Sequence, residues 1–187
     1  LRCSVQLASN LYYKQAFQIL RSFIENNILQ VHFCDNLTDF SNWKNNSYHT
    51  PALRGKKGLL SQLLDKKLIT KKISIETANL YGDLNGYIHG SVDKLLNKGI
   101  YKGKWEGYLF KEKDFNLYTN YLIRTIRNAI EITRISLAQW EKNYAGKIIC
   151  SVCHSVDFKI RKNMHNEKNL NQYTCKTCGN KALYKTA

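Results

Sequence analysis

The sequence predicts a mainly α-helical fold. We expect an antiparallel helical bundle over residues 1–145, followed by a small cysteine-bearing module of the β-hairpin type over residues 146–187. Three observations predict this division. Apolar residues recur three and four positions apart through most of the first part, Pro51 is the only proline, and two Cys-x-x-Cys units lie near the C-terminus. A chain of 187 residues is long enough for one medium domain with a small appendage.

The first half of the bundle contains two predicted helices. The first covers residues 4–31, where the apolar positions follow helical spacing: Leu7, Leu11, Phe17, Leu20, Ile24, Ile28 and Val31. Residues 35–57 are polar and are predicted to form a loop. The segment 58–69, GLLSQLLDKKLI, predicts a short amphipathic helix.

The second half contains two more. Ser74 is a suitable N-cap residue for a helix that is predicted to run to about Leu96. Residues 99–113 carry three glycines among aromatic and basic residues, which predicts a loop or small hairpin. The longest helix is predicted over 115–144, and Gly146 is a typical C-terminal stop.

The charge balance points to a polyanionic partner. Lys and Arg number 29 against 14 Asp and Glu, which gives a net charge of +15. Such a surface attracts nucleic acid, although a Lys- and Asn-rich composition alone produces the same charge.

The chain gives few signs of export or membrane insertion. No apolar run reaches the roughly 18 residues that a membrane span needs. Cys3 and Cys34 stand outside the paired cysteines in apolar surroundings, and buried free thiols favour a reducing, cytoplasmic location. The sequence starts at Leu1 in a helical pattern without Met, so we expect further residues to precede it.

The two Cys-x-x-Cys units predict a metal site. Cys150 and Cys153 form the first unit, Cys175 and Cys178 the second, and residues 154–174 lie between them. Four thiolates bind zinc tetrahedrally, and each short turn presents two sulfurs to one ion. Because all four ligands come from the protein, one structural Zn²⁺ per chain is expected, held in a zinc ribbon.

The spare histidines of this module, His154 and His165, are expected to lie on the surface, with replacement of a ligand as the alternative. A second alternative, two disulfides in a secreted protein, fits the spacing less well.

The stretch YGDLNGYIHG at 81–90 is the second notable feature. On a helical wheel, Leu80, Leu84 and Ile88 form an apolar stripe, which Ser91 and Leu95 would continue. Gly82, Gly86 and Gly90 form a separate ridge, and His89 and Asn85 lie on the neighbouring side. Glycine in a helix costs about 1 kcal/mol relative to alanine, so the ridge indicates close approach by another backbone or by a ligand.

Candidate catalytic residues follow from this stretch. His89 has the side chain best suited to transfer protons at neutral pH, as a metal-free ribonuclease requires. Arg21 in the first helix is a candidate cation for the phosphate, and Asn85 is a candidate partner of the histidine. Glu25, one turn after Arg21, is a further candidate. The alternative is structural, with the glycines in a helix–helix contact and Arg21 paired to Glu25.

The segments ILRSFIE and LYGDLNGYIHG resemble the helical proteins of the HEPN superfamily over roughly residues 1–140. The resemblance implies a small helical bundle, often a dimer, of the kind found in antiviral defence and toxin–antitoxin systems. Many members are metal-independent ribonucleases. Their signature is an arginine, a polar residue and, a few positions later, a histidine. Asn85 and His89 match its second half, whereas Leu84 stands at the arginine position.

Three functions therefore remain open. The first is an RNA-acting protein, with endoribonuclease activity either present or lost through Leu84. The second is an inactive scaffold or sensor subunit of a larger defence assembly that uses the ribbon for protein docking. The third is a DNA-binding regulator, although no clear helix-turn-helix is present. A homodimer through the helices is a further expectation from the resemblance.

Overall fold

A computed structural model describes residues 1–89, 100–101, 104–105, 110–153, 155–162 and 170–185. In this part of the chain the fold is mainly helical, as predicted. The helices are α1 (Arg2–Ser9), α2 (Tyr13–Asp35), α3 (Leu37–Lys44), α4 (Leu59–Asp65), α5 (Lys71–Ile88) and α6 (Glu112–Tyr144).

Two sheets are present in the described residues, and both are antiparallel. Strands β1 (Ile100–Tyr101) and β2 (Lys104–Trp105) pair antiparallel within residues 99–113, where the sequence predicts a loop or a small hairpin. The second sheet has the order β3–β4–β5, with β3 at Phe158–Arg161, β4 at Leu170–Cys175 and β5 at Lys181–Lys185. The C-terminal module is therefore built on three strands rather than on a two-stranded hairpin.

The prediction of one helix over residues 4–31 is wrong in one respect, because the structure has two helices there, α1 and α2. Leu11 takes a left-handed backbone conformation with φ 66°. The N–H groups of Leu11 and Tyr12 bond to the carbonyls of Ala8 and Leu7, which ends α1. A side-chain pattern that continues on the same face cannot reveal such a break.

Two other predictions in this region are also wrong. The loop predicted over 35–57 contains α3, whose N-cap Asn36 accepts hydrogen bonds from the N–H groups of Thr38 and Asp39. Helix α5 begins before Ser74, because Thr70 caps it by accepting a hydrogen bond from the N–H of Ile73. The short helix over 58–69 is confirmed as α4.

The long helix and its stop are confirmed. Helix α6 ends at Tyr144, and Gly146 has φ +71°, a conformation that residues with a side chain rarely adopt. Residues 90–96 of the predicted third helix lie outside the described residues, and the described helix ends at Ile88 with His89 as its C-cap.

The chain divides into two compact units. The first comprises Leu1–His32 and Pro51–Ser136, and the second Phe33–Thr50 and Leu137–Ala187. The boundary predicted at residue 146 stays a prediction. Among the described residues, no helix combines the length and apolar character that crossing a membrane requires.

The first unit has a continuous apolar core contributed by α1, α2, α4, α5, α6 and the loop before α4. The predicted stripe of α5 is confirmed, since Leu80, Leu84 and Ile88 are buried in that core. Tyr118 enters it from α6, and its hydroxyl lies 2.9 Å from the buried Ser4 hydroxyl. This packing fixes the rotation of α5 and therefore determines which of its residues face away from the core.

The second unit joins the end of α2, the helix α3 and the end of α6. Phe33 packs against Phe40 and Trp43, with ring centroids 5.4 and 5.5 Å apart. The Asn143 side chain donates to the carbonyl of Cys34 at 3.2 Å, and Gln139 donates to Asp35 at 3.0 Å.

The two cysteines outside the Cys-x-x-Cys units are less buried than expected, because Cys34 is half-buried and Cys3 is exposed.

Candidate metal centre and the histidine face of α5

The four paired cysteines come together as predicted. Cys150 and Cys153 lie at a turn that follows α6, whereas Cys175 is the last residue of β4 and Cys178 lies in the turn after it. Their sulfurs all lie within 4.8 Å of one another. The Cys150 and Cys178 sulfurs are 3.6 Å apart, and those of Cys153 and Cys175 are 3.4 Å apart.

These distances fit a tetrahedral metal site. Metal–sulfur bonds of about 2.3 Å place the sulfurs of a ZnS₄ tetrahedron ~3.8 Å apart. A disulfide instead requires about 2.05 Å, and all six cysteines are free. The four thiols could therefore hold one metal ion, and they leave no ligand position for water if all four bind.

The backbone of the second turn supports this arrangement. The Cys175 N–H donates to the carbonyl of Asn180, and the Gly179 N–H donates to the carbonyl of Cys175. Gly179 has φ +75°, which closes the turn without steric strain. The Asn180 side-chain amide lies 3.9 Å from the Cys150 sulfur, so it can donate a weak hydrogen bond to a thiolate.

The four thiols differ in acidity. Burial opposes ionisation of Cys175, but hydrogen bonds from the backbone N–H of Cys178 and from neighbouring groups outweigh it and lower the pKa to about 6. Burial raises the pKa of Cys153 to about 12, with its three thiol neighbours adding to the effect. Four thiolates at this separation repel one another, so a cation is needed for all of them to ionise together.

The candidate catalytic residues lie on α2 and α5. His89 is the exposed C-cap of α5, and its backbone N–H donates to the carbonyl of Asn85 one turn earlier. In the part of the chain that the structure describes, the buried Oδ1 atom of Asn85 has no hydrogen-bond partner. The two residues share one side of α5, as the wheel predicts.

Arg21 takes the structural role given above as the alternative. Its Nη2 lies 3.1 Å from Glu25 Oε1, and its Nε donates to the Tyr81 hydroxyl at 3.1 Å. Tyr81 in turn donates to Glu25 Oε1 at 2.8 Å. Burial opposes the charge of Arg21, but the hydrogen bonds to Tyr81 and Glu25 outweigh it and raise its pKa.

Position 84 is a poor place for an arginine, the residue that the HEPN signature would have there. The Leu84 side chain is 0% exposed and lies in the core of the first unit. A cation at this position would lose its hydration without a partner. The arginines of α6 are also engaged in part, because Arg124 pairs with Asp83 at 3.3 Å and Arg134 with Glu131 at 3.0 Å.

Arg54 is a residue that the sequence interpretation missed. Its guanidinium lies directly against the backbone of Gly82, the first glycine of the ridge. The glycine spacing indicates that some group approaches α5 closely, but it does not identify an arginine from the loop before α4. Gly90, the last glycine of the ridge, lies outside the described residues.

The three-stranded sheet has one basic face. Lys159 pairs with Thr174, which pairs with Lys181, and Arg161 pairs with Gln172, which pairs with Leu183. Alternate residues of a strand point to the same side, so these six residues share a face, and both lysines and the arginine are exposed. The strands contain no Asp or Glu. His154 and His165 lie outside the described residues.

Comparison of the chain with family models, with curated proteins and with solved structures gives no match. The HEPN resemblance therefore stays a prediction.

Proposed function

We propose that this chain is a nucleic-acid-binding protein, with RNA as its ligand and one structural Zn²⁺ bound by the four cysteines. The basic face of the β3–β4–β5 sheet carries the proposal. Lys159, Arg161 and Lys181 present three cations on a short sheet, and Gln172 and Thr174 lie between them as hydrogen-bonding groups. Cations next to neutral polar groups suit the phosphate and sugar of a nucleic-acid backbone.

Zinc fits the proposal better than other metals. Four thiolates at tetrahedral spacing favour zinc or an iron centre, and zinc needs no redox chemistry to hold a small sheet in place. The metal would stabilise strands that expose polar residues on one face and that are too few to bury a large core. RNA is chosen over DNA because of the HEPN resemblance.

A direct test measures binding of a fluorescent single-stranded RNA by anisotropy over a range of salt concentrations. We expect a variant with Lys159, Arg161 and Lys181 all changed to Ala to bind about tenfold more weakly or worse. Its salt slope should fall by about 2, since each lost contact with a single strand contributes about 0.7. A matched variant with Lys14, Lys111 and Lys113 changed to Ala loses the same charge from exposed positions of the first unit.

Equal binding by the two triple variants would contradict the proposed surface. Absence of binding to RNA and to a DNA of the same sequence, in zinc-loaded protein, would contradict the function and favour protein docking by the ribbon. Tight binding to the DNA but not to the RNA would favour the alternative that the protein is a DNA-binding regulator.

RNA cleavage is a second candidate, favoured by the exposed His89 one turn after Asn85. Binding is the better-supported function, because Leu84 is buried and Arg21 is held by Glu25 and Tyr81. Incubation of the wild type and of His89→Ala with structured RNA separates the two. Cleavage by the wild type alone supports catalysis, and intact RNA with both proteins rules against it.

A further inference from the structure

The backbone of Arg54 is held in a tight loop before α4. The Leu59 N–H donates to the Ala52 carbonyl at 2.9 Å, and the Leu60 N–H donates to the Leu53 carbonyl at 3.2 Å. Leu53, the neighbour of Arg54, is buried in the core of the first unit. The loop therefore presents Arg54 from a fixed position.

Two glycines make room for this one arginine. A Cβ at Gly58 would lie 2.6 Å from the carbonyl carbon and oxygen of Arg54, and a Cβ at Gly82 would lie 2.6 Å from its Nη1. Gly58 thus lies against the backbone carbonyl of Arg54 in its own loop, and Gly82 of α5 lies against its guanidinium. The guanidinium is placed more definitely than that of a free surface side chain, so less rotamer entropy remains to be lost on binding.

The guanidinium of Arg54 has no acidic partner among the described residues. In the described part of the chain, Arg54 makes no hydrogen bond or ion pair through its side chain, which is exposed. Two carboxylates linked to the chain neighbours of Gly82 are already paired: Asp83 binds Arg124, and Glu25 binds Arg21 and Tyr81. Because the side chain is exposed, N–H groups of the guanidinium can reach an external acceptor.

We propose that Arg54, seated on Gly82, binds a phosphate of the RNA backbone. The inference rests on the proposed function and adds a phosphate contact in the first unit. The planar guanidinium matches two phosphate oxygens at once. His89 lies seven residues after Gly82 on the same side of α5, about 10 Å along the helix axis. The RNA strand would follow this side of the helix, from Arg54 on Gly82 towards His89.

Anisotropy with a 5′-labelled single-stranded RNA tests the contact in the full-length, zinc-loaded protein. Arg54→Ala removes the cation. Gly82→Ala keeps the net charge and displaces the guanidinium, because the new Cβ meets only the flexible end of the side chain. We expect each to weaken binding by about three- to tenfold at ~0.1 M salt, and Arg54→Ala to reduce the salt slope by about 0.7.

Two further variants make the test specific. Arg127→Ala removes an exposed arginine of α6 and should change binding less than twofold. The double variant Arg54→Ala/Gly82→Ala should bind no more weakly than Arg54→Ala alone, since both changes act on one contact. Circular dichroism checks that each variant keeps its helices.

The outcomes separate this inference from the proposed function. Binding by Arg54→Ala and Gly82→Ala equal to that of Arg127→Ala, with the sheet variant still impaired, would overturn the Arg54 contact and leave the function standing. Failure of the wild type to bind RNA would overturn both.

Discussion

Single residues on and around α5 bear on whether this helix carries a catalytic site. Leu84, which the resemblance to the HEPN signature would align with its arginine, is buried. Arg21 completes a hydrogen-bonded group with Glu25 and Tyr81. Arg54 makes no ion pair within the described residues and lies against Gly82 of this helix, a contact that sequence spacing alone does not reveal.

Replacing Leu84 should cost stability. Leu84→Ala removes a fully buried side chain and leaves a cavity, so the free energy of unfolding should fall by about 2–5 kcal/mol. Ile75→Ala on the same helix is the matched control, because Ile75 is 49% exposed and its loss should cost about 0.5 kcal/mol or less. Urea unfolding followed by helical circular dichroism measures both. Equal losses would show that Leu84 does not lie in the core.

Tyr121 gives a prediction for alkaline pH. The pKa of Tyr121 is raised to about 12. Burial is the largest cause, and the hydrogen bond with Tyr87 and the charge of Asp83 add to it. The neutral phenol is thus favoured in the folded state. Its contribution to stability is fully present below pH 10, the ordinary tyrosine pKa, and is lost as the pH rises through 12.

Absorbance at 295 nm during an alkaline titration measures this ionisation. The titration curve of the wild type should include one tyrosine that ionises near pH 12 and that is missing from the curve of Tyr121→Phe. A difference centred near pH 10 would contradict the packing of Tyr121 against Phe17 and Tyr87.

At the scale of elements, helix ends are less predictable than helix faces. The faces of α5 and the end of α6 agree with the sequence pattern. The break at Leu11, the helix α3 and the cap at Thr70 do not, because each depends on backbone hydrogen bonds that apolar spacing does not report. Capping residues such as Asn36 were present in the sequence and could have revealed α3.

Gly146 is the element-scale test. Gly146→Ala forces a residue with a Cβ into the left-handed region and should lower the free energy of unfolding by about 1–2 kcal/mol. Gly146→Asn should lose less, since asparagine tolerates this conformation. Urea unfolding of the two variants compares them. An unchanged Gly146→Ala would mean that α6 does not end at the left-handed residue.

At the scale of the whole molecule, the two compact units have different sources of stability. The first is built around a continuous apolar core. The three-stranded sheet of the second has one polar face and ends beside four thiols. Removal of the proposed zinc should therefore affect the two units unequally.

Metal analysis should find one zinc per chain in the wild type and none in Cys175→Ser, with Cys3→Ser as the control outside the cluster. Chelation should remove the sheet signals from an NMR spectrum and leave those of the first unit in place. Acid should release the metal, because protons compete for the thiolates. Full zinc content in Cys175→Ser would contradict a four-cysteine site.

The sequence by itself determined the helical class, the apolar face of α5, the end of α6 and the four-cysteine cluster. Each of these follows from local spacing, because 3.6-residue periodicity and Cys-x-x-Cys turns act within a few residues. Only the tertiary structure decided that Arg21 is held by Tyr81 from 60 residues away, that Arg54 lies on Gly82, and that three cations share one sheet face. Those contacts join distant segments, and their geometry depends on how the core rotates each helix and sets each strand register.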